Sequence, residues 1–427
     1  MRNELLTRRG FLNAVAGITG TLMCSKLWAT DARLRFIWWG SPERAKLTQQ
    51  ALDLFTTANP GIDIDTEFLD WLDYWQRFVS LVAIRQTPDL IQMDYRYLRL
   101  YAGHGVLLPL DKYLGNELDI GSFGQHNIDS CRVDGTLYGV NLGINSTALI
   151  IDSESWASAG VQPPTFGTTW DSFSDKCEAF AKGNRQQNLY ASPDASGTAI
   201  AFENWLRQRG RGLYTSEGSL NFEIDDAVEW FSYWAKIRAF GGCVPADIQM
   251  LDKHSIETSV LVLGYAAMDF AHSNMLSNYQ QRINKSLDIT AFPTTAGGQP
   301  GHYYKPSQML SVAASSQWPD LAVELANFLV TSPEAVKILG VDRGIPASPD
   351  LRGLLSSQLS AVDRKTINYI NNLTQYVDPL PPTPPQGAGE IAITIQAVGH
   401  EIAFNQLTPK LGGEKLVRMA KEILSKT

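Results

Sequence analysis

The hydrophobic and polar positions between residues 34 and 68 predict a strand, a helix and a second strand. Residues 34–39 form a short run of apolar, aromatic and β-branched side chains, which is typical of a buried strand. Ser41 then stands where a helix N-cap belongs, and Pro42 follows at the first helical position. Apolar and acidic residues alternate over 62–68, as in a half-exposed strand. A strand–helix–strand unit implies a parallel sheet with a right-handed crossover.

The rest of the chain continues the mixture of helices and strands. Asp134 and Gly135 form a hairpin signal, and two amphipathic helices are expected to close the chain. Further strands are predicted from apolar runs at 89–93, 142–151, 259–270 and 309–314. The pattern therefore predicts the α/β class.

Aromatic and acidic residues follow three successive predicted strands. Trp39 ends the first strand, Trp71 and Tyr74 follow the second, and Asp94 and Tyr95 follow the third. Parallel sheets bind ligands at the carboxyl ends of their strands, so we expect these side chains to border a binding site. Each ring taken alone has core packing as an equal alternative, because large aromatic side chains are mostly buried.

Length, composition and charge restrict the classes of function that we expect for the chain. A length of 427 residues allows two or three domains and a large core. With 11 Trp, 15 Tyr and 17 Phe, the chain favours a ligand that has flat apolar faces. The formal net charge of −8 argues against nucleic-acid binding, which needs a basic face. The six histidines show no metal-ligand spacing, so we expect neither a metal nor another cofactor.

The first residues predict export. Arg8 and Arg9, followed by Phe11 and Leu12, match the twin-arginine pattern, and a short, weakly apolar segment comes next. We therefore assign residues 1–29 to a signal peptide for the twin-arginine route and expect a periplasmic protein. No later stretch has the pattern of a membrane span.

The order of several motifs resembles one family. The chain carries, in sequence, WWG, DWLDY, TPDLIQMD, KPSQM and DRGIP. Together they resemble the extracellular solute-binding proteins of carbohydrate ABC transporters, and look closest to the binding proteins for oligogalacturonides and other oligosaccharides. The resemblance implies two α/β lobes, a hinge and a ligand cleft between the lobes. The N-terminal lobe would comprise 31–141 and 293–331, and the C-terminal lobe 145–288 and 332–427.

The resemblance also implies a monomer that closes on a saccharide and delivers it to permease subunits in the inner membrane. Sugar rings present apolar C–H faces to aromatic side chains, and hydroxyl groups to polar ones. In the similar oligogalacturonide binders a lysine of the KPSQM motif lies near an acidic sugar, so Lys305 makes a uronate one option. We assign Trp75 and Trp234 to the core. The candidate ligand contacts are Trp39, Ser41, Arg44, Trp71, Tyr74, Asp94, Tyr95, Asn145, Phe270, His272, Lys305 and Gln308.

Two other functions stay open at this point. Glu43, Asp73 and Asp94 could supply the paired carboxylates of a periplasmic glycan-degrading enzyme. A sugar-binding protein that feeds a chemoreceptor would carry the same cleft, because only its partner differs. We assign no catalytic residue and expect no enzyme.

Overall fold

The computed structural model describes residues 32–40, 42–252, 256–355 and 359–426, without the side chains of Glu43, Trp71 and Leu72. The assigned signal peptide 1–29 and the candidate contact Ser41 lie outside the described residues. The Trp71 side chain is outside the description too, and its backbone begins a helix. These three sequence-based assignments therefore stay predictions.

Strands are found in both halves of the described chain. They are β1 (Ala32–Trp39), β2 (Ile62–Leu69), β3 (Leu90–Met93), β4 (Arg132–Val133), β5 (Thr136–Leu137), β6 (Val140–Asn145), β7 (Thr147–Asp152), β8 (Met268–His272), β9 (Leu287–Thr290) and β10 (Lys305–Val312).

Helices separate and cover the strands. In chain order the α-helices are α1 (Pro42–Ala58), α2 (Trp71–Ala83), α3 (Tyr95–Gly103), α4 (Gln125–Asp129), α5 (Ser153–Ser158), α6 (Trp170–Gly183), α7 (Ala199–Arg207), α8 (Ile224–Ala239), α9 (Ala246–Gln249), α10 (Leu276–Gln280), α11 (Pro319–Thr331), α12 (Pro333–Leu339), α13 (Pro349–Leu355), α14 (Ala361–Asn372), α15 (Ala388–Ala403) and α16 (Pro409–Leu424).

The first sheet has the order β2-β1-β3-β10-β6. β1 runs parallel to β2 and β3, which confirms the strand–helix–strand unit predicted from residues 34–68. β10 is antiparallel to β3 and to β6. The carboxyl ends of β1, β3 and β6 and the amino end of β10 therefore lie along the same edge of this sheet.

The chain leaves the first sheet at Ser146. The apolar run predicted at 142–151 is divided there into β6 and β7, and β7 belongs to a second, antiparallel sheet of order β8-β7-β9. The hairpin predicted at Asp134 and Gly135 is confirmed: both residues have positive φ and join β4 to β5. The Asp134–Gly135 pair suits this turn because aspartate and glycine tolerate left-handed backbone.

One predicted strand is wrong. The apolar run at 259–270 forms turns up to Ala266, and only its end enters β8. Val260 is buried in a small cluster with Val244 and Ala266, so burial in a compact turn produced an apolar run like that of a strand. A short apolar run alone cannot separate these two cases.

Two large cores hold the molecule together. The first surrounds the five-stranded sheet and includes side chains of α11, α12 and α14. The second surrounds one face of the β8-β7-β9 sheet and includes α6, α7, α8, α15 and α16. Trp234 lies fully buried in the second core, as the sequence predicted. The lobe boundaries given above stay a prediction.

Candidate functional site

Several of the sequence-predicted contacts meet at one edge of the first sheet. Trp39 ends β1, and Asp94 follows β3. Lys305 begins β10 directly opposite Asn145, the last residue of β6. His272 ends β8 opposite Thr147, two residues after Asn145. The strand ends of one sheet and the crossover to the other therefore bring these residues into a common region.

Lys305 lies between acidic groups from two parts of the chain. Burial lowers the pKa of its ammonium, while Asp94 and Glu203 raise it and Arg96 lowers it again. Asp94 comes from the first sheet, whereas Glu203 comes from α7, which packs in the second core. This cluster links the two halves of the molecule electrostatically.

His272 is held neutral next to that cluster. Burial and, to a smaller extent, the nearby Lys305 ammonium lower the pKa of its imidazole to about 4. A neutral imidazole can donate one hydrogen bond and accept another. His272 can therefore pair with either end of a hydroxyl group.

Glu203 is a cluster member that the sequence reasoning missed. Its carboxylate accepts a hydrogen bond of 3.1 Å from the Tyr303 hydroxyl. Burial raises the pKa of Glu203, against the opposing effects of Arg207 and Tyr303. Its only sequence signal was an acidic residue inside the largely apolar segment that forms α7, which is a common pattern in amphipathic helices.

Tyr95 contacts a proline-rich segment instead of presenting a free hydroxyl. The hydroxyl donates to the carbonyl oxygen of Pro381 at 3.1 Å. Arg207 donates to the carbonyl of Pro379 in the same segment at 2.7 Å. Residues 379–381 are thus held by α3 on one side and by α7 on the other.

A polar cavity of about 460 Å³ opens beside the sheet edge. Two residues of its lining, Asn145 and Gln308, each have a buried side-chain amide oxygen (Oδ1 and Oε1) without a hydrogen-bond partner among the described residues. Buried acceptors of this kind cost free energy until a donor reaches them. We call this space the polar cavity; its polar lining comprises Arg44, Asn145, Asn274, Ser277, Asn278, Ser307, Gln308, Asp342, Arg343, Asp363 and Thr366.

The loop 341–345 forms one wall of the polar cavity. The Arg44 guanidinium donates to the Asp342 carboxylate at 2.5 Å and to the Asp342 carbonyl at 3.0 Å. Arg343 is buried and donates to Gln92 and Thr48, and burial lowers its pKa to about 9. Arg44 therefore borders the cavity while fixing the loop, and Arg343 has a structural role.

A second cavity, of about 390 Å³, lies beside β8. Phe270 and His272 line it together with residues of α7 and α15. We call it the apolar cavity, because its walls are mainly aliphatic and aromatic. Phe270 also packs edge-on against Phe173, Trp234 and Phe292, so one part of its ring serves the second core.

The ligand role predicted for Tyr74 is wrong in this structure. Its side chain is 0% exposed, and its hydroxyl donates to the Gln92 carbonyl at 2.5 Å. Trp39 is 7% exposed and packs against Tyr74 and Trp75, with ring centroids 5.0 and 5.8 Å away. The helix that follows β2 turns Tyr74 inward, which the sequence reasoning overlooked when it placed this residue at a strand end. A ligand contact through Trp39 stays a prediction.

Other kinds of site have no support in the described part of the chain. Those residues hold no group of three or more metal-ligating side chains. None of the helices described is long and apolar enough to cross a membrane. Cys131, Cys177 and Cys243 are buried and free, and burial raises the pKa of each thiol.

Comparison with known proteins gives consistent matches. A family model described as bacterial extracellular solute-binding protein matches residues 50–353. An extracellular solute-binding protein family 1 from Alicyclobacillus acidocaldarius shares 30% identity over 93% of this chain and 99% of its own, with a TM-score of 0.83. A periplasmic oligogalacturonide-binding protein from Yersinia enterocolitica shares 21% identity over 92% and 99%, with a TM-score of 0.78.

Sequence relatives are more distant. A putative binding protein from Brucella abortus is 20% identical over 226 residues, which is 53% of this chain and 54% of that protein. The chain thus matches about half the length of this curated relative.

Proposed function

We propose, from the premise that this chain belongs to the bacterial extracellular solute-binding proteins, that it captures a saccharide for import. The family membership confirms the resemblance drawn from the order of the motifs. The fold is α/β with the two-lobe architecture of periplasmic solute-binding proteins. The ligand, the partners and the cellular location are the parts that we propose.

The polar cavity is the observation that carries the proposal. Its lining combines amide, hydroxyl, carboxylate and guanidinium groups, and two of the lining residues have buried amide oxygens without a partner among the described residues. A saccharide supplies many hydroxyl donors and acceptors at close spacing, so it can satisfy both oxygens together. The rest of the ligand extends towards Asp94, Lys305 and His272.

An acidic saccharide is the finer form of this proposal. The half-buried Lys305 ammonium can bind a carboxylate, and a charge-assisted hydrogen bond is stronger than a neutral one. The similarity to the Yersinia oligogalacturonide-binding protein supports it, as does a second structure of that protein in complex with saturated digalacturonic acid. Asp94 and Glu203 oppose a second negative charge, so we expect one uronate carboxylate at this point.

Transport follows from closure of the two lobes. A ligand that contacts both lobes favours the closed form, because only that form makes all of its contacts. We propose that a monomer exported by the twin-arginine route closes in the periplasm and is recognised there by ABC permease subunits. We expect no turnover of the saccharide, which separates this function from that of a glycan-degrading enzyme.

Thermal shift and calorimetry with a saccharide panel test the proposal. Neutral and uronate-containing di- and trisaccharides are added to the purified chain, and the sugar is recovered afterwards by chromatography. We expect at least one to raise the melting temperature and to be recovered unchanged. Turnover of the bound sugar, or no binding across the panel, contradicts the proposal.

A pair of variants locates the binding site. Gln308→Met removes the unpaired Oε1 at nearly constant volume, and we expect roughly a tenfold loss of affinity because one hydrogen bond is lost. Asn127→Leu removes a buried amide in α4, which lines neither cavity, and should leave the affinity unchanged. Equal affinities for Gln308→Met and the unsubstituted chain place the ligand elsewhere.

A further inference from the structure

The apolar cavity is lined by large apolar side chains, and a ligand that carries only hydroxyl groups would not account for such a lining. Ile200, Phe270, Met275 and Ile393 line it, and they surround a space of about 390 Å³. This volume lies at the lower end of the range of small-molecule binding pockets. Its lining differs sharply from that of the polar cavity, whose surface is mostly amide, hydroxyl and charged groups.

The packing of α15 does not account for the exposure of the Ile393 side chain. This side chain is 67% exposed, while the core-facing positions of α15 are filled by other residues, among them Ile391 and Ile395. A large aliphatic side chain at the mouth of a cavity is available to an apolar group of a ligand.

Two glycines hold α15 close to the opposite wall. A Cβ atom at Gly197 would lie 3.0 Å from the Cα of Gln396, and one at Gly399 would lie 2.9 Å from the Gly197 nitrogen. Any larger residue at either position would push α15 outward. This close approach sets the distance between Ile393 and the β8 side of the apolar cavity.

The Asp269 carboxylate in the apolar cavity is already satisfied within the protein. Asp269 accepts hydrogen bonds from the Ser259 hydroxyl at 2.5 Å, from the Tyr279 hydroxyl at 2.7 Å and from the Phe270 nitrogen at 2.8 Å. Asp269 therefore does not need a donor from a ligand, unlike Asn145 and Gln308 in the polar cavity.

The two cavities meet at a shared segment. His272 and Met275 line the apolar cavity, while Asn274 between them lines the polar cavity. Residues 272–275 therefore contribute to the walls of both cavities, which lie on either side of this short segment. We infer that the apolar cavity receives an acetyl group, attached through oxygen or nitrogen, on the saccharide that occupies the polar cavity. This inference rests on the proposed function and adds the class of substituent.

The expected preference is modest and measurable. Burial of one methyl group against Ile393 and Ile200 should tighten binding roughly fourfold relative to the unsubstituted sugar. His272 also lines the apolar cavity, and its imidazole N–H can donate a hydrogen bond to the acetyl carbonyl.

Calorimetry with matched probes tests the inference on the full chain. The probes are trigalacturonic acid and its mono-O-acetyl derivative, and cellotriose and triacetylchitotriose, so that net charge stays constant within each pair. We expect the acetylated member of at least one pair to bind four times more tightly or better. Ile393→Asp should abolish that preference. Leu411→Asp, at another half-exposed aliphatic position in α16, should preserve it.

The outcomes separate this inference from the function on which it rests. Equal affinities within every pair that binds, or a preference that survives in Ile393→Asp, overturn the acetyl subsite and leave saccharide capture standing. Absence of binding by all four probes and by the wider panel overturns the proposed function together with the subsite. Melting temperatures of both variants are measured alongside, because residues at these exposed positions should change stability little.

Discussion

Single residues at the sheet edge divide into those that support the fold and those available to a ligand. Tyr74 and Arg343 have their polar groups bonded within the protein. Asn145 and Gln308 are buried residues that line the same cavity, and each has an amide oxygen without a partner among the described residues. The sequence listed Asn145, Gln308 and Tyr74 alike as candidate ligand contacts, and this role stays a prediction for Asn145 and Gln308. It could not distinguish Tyr74 from them, because residue type does not reveal which way a helix turns its side chains.

Tyr74→Phe tests the structural role of that residue. The substitution removes the hydroxyl that donates to the Gln92 carbonyl and keeps the buried ring. We expect a loss of about 1 kcal/mol in the free energy of unfolding, measured by urea denaturation, and no change in saccharide affinity. A large drop in affinity at unchanged stability would restore Tyr74 to the ligand site.

Lys305→Met tests the acidic form of the ligand. The variant keeps the aliphatic stem and removes the ammonium that lies near Asp94 and Glu203. We expect the affinity for uronate-containing saccharides to fall by about 1.5–3 kcal/mol, while neutral saccharides lose far less. Calorimetry with trigalacturonic acid and cellotriose measures both. Equal losses for the two sugars would argue against a carboxylate at Lys305.

At the scale of elements, the segments that cross between the two sheets determine which residues lie at the site. The strand predicted at 142–151 breaks at Ser146, so that β6 ends at Asn145 in one sheet and β7 begins in the other. The sequence predicted the apolar run but not the break, because both strands are buried and the pattern is continuous across Ser146. The approach of α7 and the loop 341–345 to the same edge was equally invisible, since it depends on contacts between distant residues.

His302 makes these crossovers sensitive to acid. Its Nε2 accepts from the Phe292 nitrogen at 3.2 Å, and its Nδ1 lies 2.9 Å from the Thr147 hydroxyl. Burial lowers its pKa to about 3 from an ordinary value of 6.5. Below pH 6.5 the unfolded chain binds a proton that the folded protein does not, so stability present above pH 6.5 is lost as the pH falls towards 3.

The resulting prediction concerns how the free energy of unfolding changes with pH below neutrality. We expect His302 to account for a loss of about 2 kcal/mol between pH 7 and pH 5. Asp269 has the opposite effect on stability over this pH range, because its pKa is raised to about 6. The slope of the free energy of unfolding against pH is therefore compared between the unsubstituted chain and His302→Gln, since both contain Asp269. The same slope in both chains would contradict the assignment, as would a pKa near 6.5 measured for this imidazole by NMR.

Gly143 tests the position of the loop 341–345. A Cβ atom there would lie 2.6 Å from the Arg343 carbonyl oxygen, so Gly143→Ala must displace the loop that walls the polar cavity. We expect a lower melting temperature and at least a tenfold weaker saccharide affinity. Gly103→Ala, at the end of α3 with open space around it, is the control and should affect neither. Unchanged affinity in Gly143→Ala would remove the loop from the site.

At the scale of the whole molecule, the proposed function depends on both sheets and on the large core that surrounds each. The candidate site lies at the edge of the first sheet, where the chain crosses to the second. The α/β class and the family resemblance followed from local patterns and motif order, because each motif marks the end of a strand or a turn. The cavities arise only where residues from positions 44, 145, 274 and 308 converge. No local pattern encodes that convergence, which is why the sequence grouped only the residues that follow the first three strands.

The most direct test of saccharide capture measures binding, shape and chemical fate in one titration. The purified chain is titrated with the best saccharide of the panel by calorimetry, small-angle X-ray scattering follows its radius of gyration, and chromatography recovers the sugar. We expect saturable binding, a smaller radius of gyration as the lobes close, and unaltered sugar. Binding without any contraction, or recovery of cleaved products, would contradict it.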